Sequence, residues 1–137
     1  MKIWHPELSV ILTDKIGEGT TIHAMVWIGR DVTIGKNCKI QAHAFIPDGV
    51  TIGNDVFIGP GVRFANDRYP PSEDRTKWEF TAVEDGAVIG MNASIGPGVW
   101  IGKCAFIGMG AVVLRDVPAN QLWVGNPATI LKTRSNV

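Results

Sequence analysis

The sequence predicts an all-β protein, a single-stranded parallel β-helix wound as a triangular solenoid. Three observations predict it. Large aliphatic residues recur at every sixth position, a small or β-branched residue follows each of them four positions later, and glycine often stands directly behind the large one. A period of six fits neither the 3.6-residue helix nor a long alternating strand. It fits a short strand and a corner, repeated. Three such sides close a coil of about eighteen residues, and coils stack at the usual strand spacing of about 4.8 Å. One coil is too thin to bury its aliphatic face alone, so stability comes from its neighbours.

Composition agrees with a single domain over residues 1–137, long enough to bury a core. Hydrophobic residues at 45% and charged residues at 19% exclude a disordered chain. Thirteen basic residues balance thirteen acidic ones, so no net field draws nucleic acid or an anionic membrane. The start, Met-Lys-Ile-Trp-His-Pro, lacks the apolar run of a signal peptide, and no segment has the length to span a bilayer. Cys38 and Cys104 form no CxxC pair, which argues against a disulfide framework or a thiolate metal site. A cytoplasmic protein with reduced thiols is the expectation.

Taken in chain order, a short segment containing His5 precedes the repeat. Coils run over about residues 8–64, with Val10, Ile16, Ile22, Ile28, Ile34, Ile40, Ile46, Ile52, Ile58 and Phe64 as the large inward residues. Thr20, Val26, Val32, Cys38, Ala44, Val50, Val56 and Val62 are the small ones, which makes Cys38 a core residue. The glycines behind the large residues, such as Gly17, Gly35, Gly59 and Gly90, are expected to make tight corners at positive φ. Residues 65–82, ANDRYPPSEDRTKWEFTA, carry seven charges and no hexad pattern. Pro70-Pro71 cannot donate ladder hydrogen bonds, so the chain leaves the coil there as an extruded loop. Long loops inside compact repeats are usually functional, and Tyr69, Trp78 and Phe80 give this one surfaces to dock with. It reads as an arm lining a site on its own or an adjacent subunit. Coils resume one residue out of phase over 83–117, from Val83 through Ile89, Ile95, Ile101 and Ile107 to Val113. Residues 118–137 form a capping and cofactor segment.

The stretches IGEGTTI, IGKNCKI, IGNDVFIGPGV and IGKCAFIGMGAVV resemble the left-handed β-helix acyltransferases of the hexapeptide-repeat superfamily. The resemblance covers residues 8 to 131, and the left hand is implied by it alone. FANDRYP closely resembles the FTNDxYPR segment of sugar N-acetyltransferases acting on nucleotide-linked 3-amino sugars in surface glycan biosynthesis. That resemblance places Phe64, Asn66, Asp67, Tyr69 and Pro70 in a groove between subunits, with Pro71 standing where the family often has arginine. The ending GAVVLRDVPANQLWVGNPA resembles that of acetyl-CoA-dependent members. It implies that Ala93, Gly110 and Ala111 contact the pantetheine, and that Arg115, Asn126, Pro127 and Lys132 lie near the adenosine and its phosphates. Gly108, Gly110 and Ala111 in any case leave a surface poor in side chains where backbone can approach a ligand.

Acyl transfer from a thioester needs a nucleophile, a destination for its proton and donors facing the oxyanion. Asn66 is the leading catalytic residue, able to accept from an amine or donate to an oxyanion. His43 and His23 point outward. His43 is the better base, because Gly61 eighteen residues on leaves space above it, and Asn92 falls over that gap if Val83 opens the next coil in phase. Asp67, Arg68, Tyr69 and Asn92 are the expected substrate-binding residues. The expected activity is acetyl-CoA-dependent N-acetylation of a UDP- or dTDP-linked amino sugar. The alternative is O-acetylation with a histidine base. A γ-type carbonic anhydrase needs three protein zinc ligands, and the chain has no histidine after His43. A non-catalytic scaffold is opposed by the arm. A homotrimer with sites between subunits is expected, with Trp27, Trp100 and Met109 filling the contacts, and no metal.

Overall fold

The computed structural model describes residues 1–134. Strands of two or three residues alternate with corners, and each pairs in parallel with the strand one coil away. The register runs Thr21↔Lys39↔Phe57↔Val88↔Phe106↔Leu122 along one face. The first face holds Lys2–Ile3, Thr21–Ile22, Lys39–Ile40, Phe57–Ile58, Val88–Ile89, Phe106–Ile107 and Gln121–Gly125, and ends on Ala128–Thr133. The second holds Val10–Ile11, Trp27–Ile28, Phe45–Ile46, Arg63–Phe64, Ser94–Ile95 and Val112–Val113. The third holds Val32–Ile34, Val50–Ile52, Thr81–Val83 and Trp100–Ile101. This is the all-β parallel solenoid that the hexads predict.

The core is the stack of inward residues. Every large residue from Ile22 to Val113 in the series, and every small one from Val26 to Val117, is buried. Two of the buried polar residues find carbonyls: the Thr13 hydroxyl donates to Val32 O at 2.7 Å, and the Thr20 hydroxyl donates to Gly35 O at 2.7 Å and accepts from Cys38 N at 3.0 Å. Trp123 takes the place over Ile107 and plugs the C-terminal end of the core. From there the chain turns at Asn126-Pro127, and Ala128–Thr133 returns antiparallel against Gln121–Gly125. The expected capping segment is thus a hairpin, and its last residues, 135–137, lie outside the described residues.

Two expectations fail here. Val10 is not inward but exposed, and Ile11 packs toward the core instead, paired with Ile28. The first hexad step is one residue short because a 3₁₀ turn, Pro6–Leu8, delivers the chain onto the second face. The glycines behind the large residues are also not the left-handed corners. Positive φ falls three residues after the large position, at Gly49, Gly61, Gly98 and Gly110 but equally at Met25, Asn37, His43, Asp55, Asn92 and Cys104. The glycines directly behind serve close stacking: a Cβ on Gly90 would stand 2.7 Å from the Met109 nitrogen of the next coil. The arm occupies the corner between the second and third faces. The strand resumes at Thr81, which takes the rung above Val50.

Candidate active site

Left-handed corner residues stack into a continuous edge between the first and second faces. His43, Gly61, Asn92 and Gly110 each sit at φ between 60° and 72°. Their backbone nitrogens donate down the edge, Gly61 to Ala42 O at 2.9 Å, Asn92 to Pro60 O at 2.9 Å and Gly110 to Met91 O at 2.8 Å. Asn92 does lie over Gly61, its amide oxygen occupying the space where a Cβ would go. His43 is exposed one coil away, whereas His23 stacks on Trp4 with ring centroids 6.5 Å apart. His5 caps the 3₁₀ turn and lies away from the edge.

Toward the C-terminal end this edge opens. A Cβ built on Gly110 meets nothing within 4 Å, and Met109 beside it is 74% exposed. The strand register carries the exposed Asn126-Pro127 turn to the same end. Ala93 and Ala111 are wholly buried, so the contact expected of them is restricted to backbone. The Arg115 guanidinium lies 4.8 Å over the Trp123 ring and remains exposed, as does Lys132 on the last strand. The open edge is poor in side chains and fits a thin acyl carrier, while Arg115 stands past Val113 at the next corner and Lys132 pairs with Leu122 on the first face.

The arm is a built structure. Asn66 donates its Nδ2 to Asp48 O on the coil below at 2.9 Å, and its own carbonyl accepts from Glu79 N at 2.8 Å. The Arg68 guanidinium forks onto Glu79, at 2.7 and 2.9 Å, and also donates to Pro97 O on the coil above at 3.1 Å. Arg75 reaches Asp48 at 2.8 Å and lies over Trp78. Asp67 accepts from Ser72 N through Oδ2, and its other oxygen makes no hydrogen bond among the described residues. Asp67 and Arg68 line two clefts at once. One, of about 320 Å³, adds Tyr69, Ser72, Lys77 and Glu79. The other, of about 360 Å³, lies on the second face with Arg63, Ser94, Pro97 and Leu114. Tyr69 and Phe80 are 82% and 74% exposed, with one side of the Phe80 ring against Gly49.

Electrostatics follow these bonds. The fork from Arg68 holds the Glu79 carboxyl below its ordinary value and raises the guanidinium in turn. Hydrogen bonds from Thr76 hold Asp74 low. Burial pushes the Cys38 thiol up, which suits an inert core residue. Among the described residues no group of three or more His, Cys, Asp or Glu is placed to hold a metal, and no helix is long and apolar enough to cross a membrane.

The residues expected to form one site fall on two edges of the prism. His43, Asn92, Gly110 and Asn126 share one, while Asn66, Asp67, Arg68 and Tyr69 share the next. From Gly61 to Asn66 the chain crosses the second face, a span of roughly 16 Å at about 3.3 Å per residue. Sequence reasoning missed Arg63, Ser94, Glu79 and Pro97. Arg63 and Ser94 were findable, being the outward residues just before Phe64 and Ile95 on adjacent rungs. Glu79 carried no signal beyond its charge.

Fold and site together define a solenoid of six-residue repeats bearing an open edge and one extruded arm. The model of the bacterial transferase hexapeptide (six repeats) family matches residues 15–48, 31–66 and 80–115. The chain belongs to that family, and its all-β coils agree with the left-handed β-helix implied by the resemblance. The bifunctional protein GlmU of Thermosipho africanus is 38% identical over 122 residues, 85% of this chain and 26% of the relative. Serine acetyltransferase 2 of Arabidopsis thaliana is 29% identical over 138 residues, 96% of this chain and 39% of that protein. The chain spans about a quarter of the length of the GlmU relatives it matches. Among solved structures, PerB from Caulobacter crescentus, in complex with CoA and GDP-perosamine, superposes with a TM-score of 0.80 at 29% identity. It covers 96% of this chain and 58% of that one. A related structure of that protein is described as a GDP-perosamine N-acetyltransferase.

Proposed function

We propose that the chain is an acetyl-CoA-dependent N-acetyltransferase acting on the amino group of a nucleotide-linked amino sugar, in the cytoplasm and in the service of surface glycan synthesis. The observation that carries this reading is what the arm offers: hydrogen-bond acceptors and no imidazole. Asn66 has one amide hydrogen tied to Asp48, and among the described residues its Oδ1 and one Asp67 carboxylate oxygen accept no hydrogen bond. Such a pair suits an amine, which brings its own hydrogens and needs no strong base near neutrality. Asn66 orients the amine through Oδ1, and the second hydrogen on its Nδ2 is left to face the oxyanion. Asp67 binds the acceptor as its ammonium form, which gives up one proton to solvent before the neutral amine attacks, and Arg68 stays in the arm. The acetyl thioester supplies the acyl group. The amine nitrogen forms the bond to the carbonyl carbon, the carbon–sulfur bond breaks, and the amine proton leaves with the thiolate or solvent.

PerB supports a nucleotide-linked amino sugar; UDP and dTDP remain the proposed carriers on the strength of the FANDRYP motif. The open edge at Gly110, with Arg115, Asn126, Pro127 and Lys132 near the C-terminal end of the solenoid, is the proposed acetyl-CoA path. Because arm and edge lie a face apart in one protomer, the complete site joins the arm of one copy to the edge of the next, in a homotrimer.

The test is acetyl transfer by wild type, Asn66→Ala and His43→Ala to paired amino and hydroxy nucleotide sugars. Loss of His43 should cost the amine reaction less than about tenfold, below the usual 10²–10⁴ for a general base. Loss of Asn66 should cost more, because orientation carries much of such a reaction. A second reading, O-acetylation, has His43 in its favour: an exposed imidazole on the same edge as Asn92, two rungs below it. A better hydroxy acceptor together with a larger loss in His43→Ala would establish it and remove the first.

A further inference from the structure

We infer that Arg68 is a positioning residue: with Glu79 and the Pro97 carbonyl it forms a clamp that fixes where the arm presents Asn66 and Asp67. The sequence expectation made Arg68 a substrate contact, but three hydrogen bonds to the protein already hold Nε and Nη2 of its guanidinium. Nε and Nη2 fork onto the two Glu79 oxygens at 2.7 and 2.9 Å, and Nη2 also reaches Pro97 O at 3.1 Å. A planar fork held on three protein acceptors fixes the side chain in place, and only Nη1 keeps hydrogens without a partner among the described residues.

The clamp joins what the sequence separates. Arg68 lies on the outgoing stem of the arm and Glu79 on the returning one, and the Glu79 nitrogen donates to Asn66 O at 2.8 Å. The two stems are therefore tied to each other twice, through backbone beside Asn66 and through side chains beside Asp67. The Pro97 bond then ties the pair to the next coil, while Asn66 Nδ2 ties it to the coil below. Gly98 makes room for this: at φ +76° its absent Cβ would stand 2.9 Å from a Glu79 oxygen. The three bonds of the clamp could be lost to solvent without unfolding a solenoid whose core lies elsewhere, so the clamp acts on placement and not on folding.

The inference rests on the arm carrying the acceptor site, and a double-mutant cycle separates the two. Arg68→Gln, Glu79→Gln and the double variant are compared with wild type for the KM of an amino nucleotide sugar, the KM of acetyl-CoA, and hydrogen exchange of residues 65–80. Both single variants should raise the acceptor KM by roughly tenfold or more, the scale of a displaced binding group. The KM for acetyl-CoA should hold, and the arm should exchange faster in both. The double variant should be no worse than the worse single, because each change breaks the same clamp. Arg68→Lys should not rescue, since an ammonium cannot fork. A large effect of Arg68→Gln with a silent Glu79→Gln would show direct substrate contact and overturn the clamp. Faster exchange in both variants from a wild type that acetylates no amino sugar would sustain the clamp and remove the proposed function instead.

Discussion

Thr81 occupies a rung of the core stack where the strand below carries Val50, and it is 2% exposed. Its hydroxyl has no hydrogen-bond partner. An orphaned buried polar group costs about 1–3 kcal/mol, and valine has nearly the same shape. Thr81→Val should therefore raise the unfolding free energy by about 1 kcal/mol in a denaturant titration, with an unchanged slope; a lower midpoint would mean that the hydroxyl is satisfied. Gly90 makes the opposite case. A methyl there meets next-coil backbone at 2.7 Å, and backbone cannot swing aside as a side chain can. Gly90→Ala should destabilise by about 1–3 kcal/mol, the range for overpacking. The inward residues were legible because aliphatic character alone identifies them. The two jobs of glycine were not, since sequence does not distinguish a residue chosen for its φ from one chosen for lack of a Cβ. Met25, His43 and Asn92 at positive φ give the pattern away only once the corner position is known.

At the scale of the element, the arm shows where local reading stops. Pro70-Pro71 and the charge density announced that the chain leaves the coil, and FANDRYP announced why. Which charges pair was hidden, because Arg68 and Glu79 meet only after the chain has turned back on itself. The same pairing predicts a response to acid. Glu79 and Asp74 both have carboxyls held below their ordinary values in the folded arm. Their contribution is complete above the unfolded values, about 4 for both, and is lost as pH falls through the lower folded ones. The arm should thus be cut by pepsin increasingly from about pH 4 downward, while the coils stay intact. Glu79→Gln should be cut readily at the top of that range as well; equal pH profiles for the two proteins would rule the carboxylate out.

The whole molecule divides its labour between an edge that runs its length and an arm at one corner. Under the proposed function, Arg115 and Lys132, both exposed near the C-terminal end of the solenoid, should bind phosphate without touching the reacting carbonyl. Alanine at either should raise the KM for acetyl-CoA with little change in kcat, as loss of uniform binding does, and the effect should fade at high salt. Unchanged acetyl-CoA kinetics in both would move the carrier elsewhere. Mixed trimers are the sharper check of the shared site. Gly110→Trp blocks the edge, Asn66→Ala disables the arm, and co-assembled together they should regain activity that neither shows alone.

The final hairpin also sets a limit on growth. A parallel ladder ends on a rung of open backbone donors and acceptors, and a repeat that stacks on itself will stack on a second molecule just as readily. Here Trp123 seals the bore and Ala128–Thr133 runs against the grain of the first face, with Lys132 on its outer side. An incoming rung meets a strand of the wrong direction and a charge. Chains cut after Val117 should accordingly join end to end into fibres visible by electron microscopy, while the intact protein stays at a fixed length. The stretch that flanks the proposed carrier path thus doubles as a terminator of polymerisation.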